Sequence, residues 1–496
     1  MSLECCFAYS FYRFSIYYSS PEESPRCQTE NLLRPIDATG EARLHELGLR
    51  TRYFKKMFEA WEKAHLVFNE DGTALKTRDN ILKYLEQHPE IAGHMGMARA
   101  KVVHDYKISK WVYNRLSTLL FSWTAPYHKD LMALHAQFYG AERGIVMLAG
   151  DLQAAFLFTS ISVIRQLGCH LPIEVFHYGD GDLTKSVRSQ LEALPGVTTR
   201  DLSRMLDGRA LTLSGWAGKP FAMLLSTFRH VIFIDADALF FQNPEILLED
   251  EAYRETGALF FKDRMLFAES KRQWLQDVLP KPLSDNVLKN RFWTGESEHM
   301  QESGVVVVDK WRHFVALLLV ARLNGLDRDG DEEKGIQGVY DMVFGDKETF
   351  WLGWELAGDI DYAFHDGSTG TMGVAHPVKD VPGWNGDILV ATGPPRYTIC
   401  APQLLHLDRH DRPLWFNGWI LPTKYDNDGE PAAFETFLQE PREVRGPNAW
   451  QLHENNVCCL TSEYKTEFTP EERKTLDDMI AIRRRLGVVG SESDSG

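Results

Sequence analysis

Two carboxylates one residue apart, Asp235-Ala236-Asp237, stand at the end of the apolar run Val231-Ile232-Phe233-Ile234. That run has the β-branched and aromatic bias of a buried strand. Charge at the edge of a core is costly unless it is solvated, paired or bound to a metal. Hard divalent ions such as Mn²⁺ and Mg²⁺ take oxygen ligands and also hold nucleotide phosphates. The tripeptide alone says little, because Asp-x-Asp recurs at 180/182, 327/329, 329/331, 359/361 and 426/428. Only the copy at 235/237 directly follows a continuous apolar strand, where the competing reading is an acidic loop.

Other residues belong to the same chemistry. Lys219-Pro220 opens a helix just before the central strand, and its ammonium is either solvated or reaches a phosphate beside the metal. Gln301-Glu302-Ser303-Gly304 enters a buried valine strand, and the glycine permits close backbone approach. Asp346, Lys347 and Glu348 sit among aromatics (Y-D-M-V-F-G-D-K-E-T-F-W-L-G-W, from Tyr340), a pattern suited either to a capped helix start or to a sugar pocket. His406 follows an apolar segment; a lone histidine is usually structural, yet this one is a candidate to complete a site begun by Asp235 and Asp237.

The elements that would position these groups follow a βαβ rhythm. Gly144–Ala149 reads as a strand that turns at Gly150-Asp151, and a helix runs to Leu167. A strand at Ile173–Tyr178, closed by Gly179-Asp180, is followed by a helix around Leu183–Ala193. Further strands are expected at Gly257–Phe261 and Val305–Val308, with a helix at Trp311–Leu323. This is the pattern of a mostly parallel sheet with ligands at the C-terminal strand edge, which brings Gly150, Asp151 and Asp235 to one rim. Residues 1–40 read as poorly ordered, 41–140 as a helical stem or cap, 141–425 as the main domain, and 426–496 as a C-terminal extension. Thr469-Pro470-Glu471-Glu472 is a capping-box start for a final helix before a disordered tail.

A chain of 496 residues is long for one simple core, and its 44% hydrophobic and 25% charged residues are ordinary for a globular protein. A formal charge of −16 argues against nucleic acid as a partner. The seven cysteines show no zinc spacing and leave the redox compartment open. No run of eighteen apolar residues is present, and the aromatic segment 1–20 fits neither a signal peptide nor an anchor.

Taken together, 143–151, 215–228, 231–237, 256–264, 301–310, 345–353 and 406–419 resemble, in order, the fungal Golgi α-1,3-mannosyltransferase family. The resemblance covers roughly residues 140 to 425 and is loose over the helical N-terminal third. It implies a GT-A-type α/β fold, a nucleotide-sugar-binding mixed sheet flanked by helices, acting in the Golgi lumen. It implies retaining transfer of mannose from GDP-mannose to a mannose-containing glycan or glycoprotein. Asp235, Asp237 and His406 would then hold Mn²⁺ (or Mg²⁺) on the diphosphate, with Lys219, Gly150 and Asp151 near the nucleotide. Glu302, Asp346 and Glu348 would face the donor mannose and the acceptor hydroxyl, with no residue assigned as nucleophile. Family members usually carry a signal anchor, which this chain does not show. The competing readings are a UDP-sugar donor on the same fold, a non-catalytic glycan-binding relative, and a glycosidase, which pairs carboxylates without a metal.

Overall fold

Alternation along the strands builds two cores, one on each face of a central sheet. The strands are β1 (Arg143–Leu148), β2 (Ile173–His177), β3 (Val197–Asp201), β4 (His230–Ile234), β6 (Ala258–Lys262), β7 (Gln301–Asp309) and β8 (Ala363–Phe364), arranged in the order β8-β6-β7-β4-β1-β2-β3. All neighbours are parallel except β7, which runs antiparallel to both β4 and β6. The sheet is therefore mixed, and its helices lie on both faces, the α/β class expected of a GT-A-type protein. The computed structural model describes residues 30–492 apart from 79, 95, 125–127, 209–210, 212, 379–394, 422–431, 442–448 and 454–456, and only the backbone within 487–492. The segment 1–20, Cys5, Cys6, Cys27, the Asp426/Asp428 pair and residues 493–496 lie outside these.

On one face Ile145, Met147, Val175, Ile232, Ile234, Val305 and Val307 form a single core with Leu157, Ile161 and Ile164 of helix α3 (Ala154–Gln166). On the other, Val146, Phe176, Val231, Phe233, Val306 and Val308 meet α4 (Lys219–Leu225), α5 (Phe314–Leu323) and α6 (Thr349–Ala357). The helical N-terminal region, α1 (Gly40–His65) and α2 (Arg99–Phe121), shares that second core through Phe54, Phe58, Leu116 and Leu120. Every residue of α5 is buried, because it packs among α1, α2, α4 and α6 in the same core as the inward residues of the sheet. The four valines 305–308 are fully buried, and each contributes roughly 1.5–3 kcal/mol over leaving it exposed. Asp327, one of the recurring Asp-x-Asp carboxylates, is buried between Arg43 of α1 (Nε at 2.8 Å) and Arg322 of α5 (Nε at 2.5 Å), tying the N-terminal helices down.

A second sheet grows from the central strand. Two residues after Asp237 the chain forms β5 (Leu239–Phe240), which leaves the first sheet for a six-stranded antiparallel one. Its other strands are β9 (Thr369–Gly373), β11 (Leu404–Leu407), β12 (Pro413–Asn417), β13 (Thr436–Gln439) and β15 (Lys465–Glu467), in the order β15-β13-β9-β11-β12-β5. The residues after 425, expected as an extension, thus supply strands to this sheet. They also supply α7 (Pro470–Glu492), whose Leu476, Met479 and Ile482 share a core with Val163 of α3. The capping box is present: Thr469 N donates to Glu472 Oε2 at 2.8 Å and Glu472 N to Thr469 Oγ1 at 3.2 Å. In a third sheet β10 (Tyr397–Ala401) pairs with β14 (Cys458–Ser462), and the opposed Cys400 and Cys459 form a disulfide. Among the described residues Cys169 and Cys458 are buried free thiols.

Candidate active site

Asp235-Ala236-Asp237 is the hinge where the chain passes from β4 of the first sheet to β5 of the second. The turn is fixed by Asp235 N donating to Gly304 O at 2.8 Å and Ala238 N donating to Asp235 O at 3.0 Å. Both carboxylates are half-buried. Facing them is Lys219, at the start of α4 and 4% exposed. Its Nζ lies 2.8 Å from Asp235 Oδ2, 3.3 Å from Asp346 Oδ2 and 3.1 Å from Ser303 Oγ. Ser303 Oγ donates to Asp346 Oδ2 at 2.8 Å. Lys219 is therefore neither solvated nor unpartnered; its ammonium bridges two carboxylates drawn from distant parts of the chain.

The electrostatics follow from burial and from the excess of negative charge. Burial works against the Lys219 ammonium, but Asp235 and Asp346 outweigh it and hold the group well above its ordinary value. Burial raises Asp235, the Lys219 charge opposes this, and repulsion from Asp237 and Asp346 adds to the rise, so its carboxyl is pushed up to about 7. One buried cation thus serves several carboxylates, which leaves the strand end short of positive charge.

Glu302 lies beside this cluster, with Oε1 accepting from Gly304 N and from Asn417 Nδ2, each at 2.9 Å. Asn417 ends β12, so the second sheet contributes to the site through a residue the sequence reading passed over. A Cβ on Gly304 would come within 3.0 Å of Glu302 Oε1, 3.1 Å of Asn417 Nδ2 and 3.2 Å of the Trp415 ring, which is why the strand carries glycine there. Ser303 was quoted only within its polar tetrapeptide and given no role of its own; a hydroxyl entering a buried strand was the available signal.

Gly150 and Asp151 lie at the end of β1. Asp151 Oδ1 accepts from Thr184 N at 2.9 Å, and Asp151 N donates to Asp182 O at 2.7 Å, so the two βα loops are stapled together. A Cβ on Gly150 would meet Asp182 Oδ1 at 2.3 Å. Next along the rim, Tyr178 Oη donates to Gly215 O at 2.9 Å, and a Cβ on Gly218 would lie 1.9 Å from that same Oη. The loop carrying Lys219 is thereby pressed onto the end of β2.

Two candidates sit elsewhere. Glu348 is fully buried, taking Met300 N at 2.9 Å on Oε1 and Trp351 Nε1 at 2.6 Å on Oε2. Burial pushes it up to about 7 against the pull of Lys347. Its oxygens are occupied by the protein, so it pins α6 to the start of β7 instead of facing a substrate. Phe350, Trp351 and Trp354 around it are fully buried core, and Phe344 is the exposed aromatic of that stretch. His406 stacks on Trp415 (ring centroids 4.0 Å) and meets Phe261 edge-on (5.3 Å); it is 2% exposed and burial pushes it well below its ordinary value. Among the described residues no three His, Cys, Asp or Glu side chains converge as a metal site, and His406 Nε2 is buried with no hydrogen-bond partner among them. It faces inward from β11, two strands from β5.

The donors that remain fit a hard ion. Two half-buried carboxylates at a strand end, one destabilised as an anion, could supply oxygen ligands of the kind Mg²⁺ or Mn²⁺ takes when substrate phosphates provide others.

Residues 142–408, just over half of the chain, match the family model Mannosyl_trans3, described as "Mannosyltransferase putative". The chain belongs to this mannosyltransferase family. It is 28% identical over 333 residues to alpha-1,3-mannosyltransferase MNT3 of Saccharomyces cerevisiae, covering 60% of this chain and 49% of that protein. To alpha-1,3-mannosyltransferase MNT2 of the same yeast it is 26% identical over 321 residues, covering 58% and 53%. The chain thus spans about half the length of these relatives. Among solved structures, the Mn/GDP form of core-mannan synthase A from Aspergillus fumigatus aligns with a TM-score of 0.30 at 12% identity, over 45% of this chain and 72% of that one.

Proposed function

We propose that this member of the family is a metal-dependent, retaining α-mannosyltransferase that moves mannose from GDP-mannose to a mannose-containing glycan or glycoprotein, in α-1,3 linkage. The observation that carries the reading is the Lys219-centred cluster of Asp235, Asp346 and Ser303 at the Asp-x-Asp strand end, inside the family-matched segment. Asp235 and Asp237 would hold the ion, which when bound supplies positive charge to the leaving diphosphate. Lys219 fixes the orientation of Asp235 and adds a preorganised charge beside the phosphates. Gly150 and Asp151 frame the nucleotide side of the rim. Asp346, held by Ser303 and Lys219, and Glu302, held by Asn417 and the Gly304 N–H, would face the donor sugar and the incoming hydroxyl.

The family and the Cys400–Cys459 disulfide together support action in the oxidising secretory pathway, with the Golgi lumen as the compartment. No helix among the described residues is long and apolar enough to cross a membrane. The test is a transfer assay with GDP-mannose and UDP-glucose against a mannobiose acceptor, with Mn²⁺ or EDTA. Mannose transfer from the GDP donor, abolished by EDTA, is the expected result; transfer from the UDP donor would keep the fold and change the reaction.

A further inference from the structure

Beside the cluster, two phenylalanines from different loops stand out from the surface around one histidine. Phe267 is 51% exposed and Phe344 is 67% exposed. The ring of His299, itself 4% exposed, lies between them, with centroids 5.7 Å from Phe267 and 5.0 Å from Phe344. Singly exposed apolar residues are ordinary. This pair is set apart by how the backbone holds it. Phe267 has φ 54°, a left-handed conformation that a bulky residue adopts only when its surroundings impose it. The surroundings do so: Glu298 N donates to Phe267 O at 3.0 Å, and Leu266 N donates to Ser297 Oγ at 3.0 Å. On the other loop, Gly345 turns with φ 64° immediately after Phe344, and Lys347 pairs with buried Asp263 while lying 4.8 Å from the Phe344 ring.

The position relative to the cluster is equally specific. Phe344 precedes Asp346 by two residues, and His299 precedes Ser303 by four, so at most about 13 Å of chain separates the platform from the residues bonded to Lys219. Burial, with Lys347 adding to it, pushes His299 down to about 4, so its ring is a neutral floor between the two phenyl groups.

We infer that Phe267 and Phe344, flanking His299, form the acceptor subsite, on which the C–H face of a mannose unit of the acceptor glycan packs with its reacting hydroxyl directed to Asp346 and Glu302. This rests on the transferase reading for the direction of the hydroxyl; the platform itself is a binding surface for an α-linked mannoside. Sugars present flat apolar C–H faces to aromatic rings, and a rigid aromatic pair binds them with little ordering cost. Continuity with the charged cluster favours the acceptor over a protein partner as occupant.

Saturation-transfer NMR with an α-linked mannobiose on wild type, Phe267→Ala and Phe344→Ala tests the platform without any turnover. Acceptor KM and GDP affinity are measured in parallel. The expected result is a mannobiose signal in wild type that falls in both variants, with acceptor KM rising about tenfold, as loss of one stacked ring implies, and GDP affinity unchanged. Phe344→Trp restores KM, which a mere disturbance of the loop before Asp346 would not allow. Wild-type mannobiose signal that persists in both alanine variants, or no signal at all, overturns the platform. Loss of signal in the variants of a protein that neither binds GDP nor transfers mannose upholds the platform and overturns the transferase reading alone.

Discussion

Replacing Lys219 by methionine removes the ammonium that lies 2.8 Å from Asp235 and 3.3 Å from Asp346 while keeping most of the side-chain volume. The lysine side chain is 5% exposed, Asp346 8% and Asp235 18%, so solvent cannot replace what is lost. Removing one partner of a buried pair leaves an uncompensated charge, at a cost of about 3–5 kcal/mol. Here two carboxylates lose their partner at once, which places Lys219→Met towards the upper end of that range. Urea denaturation followed by tryptophan fluorescence reads the loss. A double-mutant cycle isolates its origin: Asp346→Asn removes one of the stranded charges, so the double variant recovers roughly 1–3 kcal/mol relative to additivity. Metal-dependent GDP binding falls in both lysine variants, because Asp235 is no longer held in place. A Lys219→Met protein within about 1 kcal/mol of wild type, or strict additivity with Asp346→Asn, would refute the bridging role, since that is the size of an exposed surface pair.

His406→Phe, in its slot between Trp415 and Phe261, leaves Mn²⁺-dependent GDP affinity within about twofold of wild type by calorimetry; a loss approaching that of a ligand substitution would return His406 to the metal. His65 is buried against Trp61 O (2.9 Å) and Tyr106 Oη (3.1 Å), and burial pushes it down to about 4. The folded state therefore binds fewer protons there than the unfolded one. Its contribution is complete above pH 6.5 and is lost as pH falls towards 4, by up to about 3 kcal/mol. His65→Gln removes that part of the slope in a stability-versus-pH series, whereas an unchanged slope would show that His65 titrates normally. Cys400→Ser with Cys459→Ser opens a loop of 59 residues and lowers stability by about 4 kcal/mol in the chain-entropy account, read as a lower denaturation midpoint; no change would mean the bridge does not form in the folded protein.

Much of the scaffold was readable because it is written locally. The runs at 144–149, 173–178, 231–234 and 305–308 carry their own burial signal, and all are strands of the central sheet. Thr469 and Glu472 announced their reciprocal bonds from three residues apart. Non-local choices were not readable. Nothing within Gln301–Asp309 states that this strand runs antiparallel to both neighbours, because direction is set by connections elsewhere. The second sheet is built from strands of two to five residues that gain stability only from each other. The site divides the same way. Asp235 and Asp237 were found through the strand that ends in them, and Lys219 through the proline that follows it. Asn417 was missed because it reaches Glu302 by way of the second sheet.

Calorimetric titration of GDP into wild type and Asp237→Ala, each with and without Mn²⁺ and with UDP as control, tests the central claim most directly. The expected result is GDP binding that requires Mn²⁺, exceeds UDP binding, and disappears in Asp237→Ala while circular dichroism and thermal unfolding stay unchanged. GDP binding that is indifferent to Mn²⁺, or that survives in Asp237→Ala, would contradict a metal-assisted nucleotide-sugar site at the end of β4.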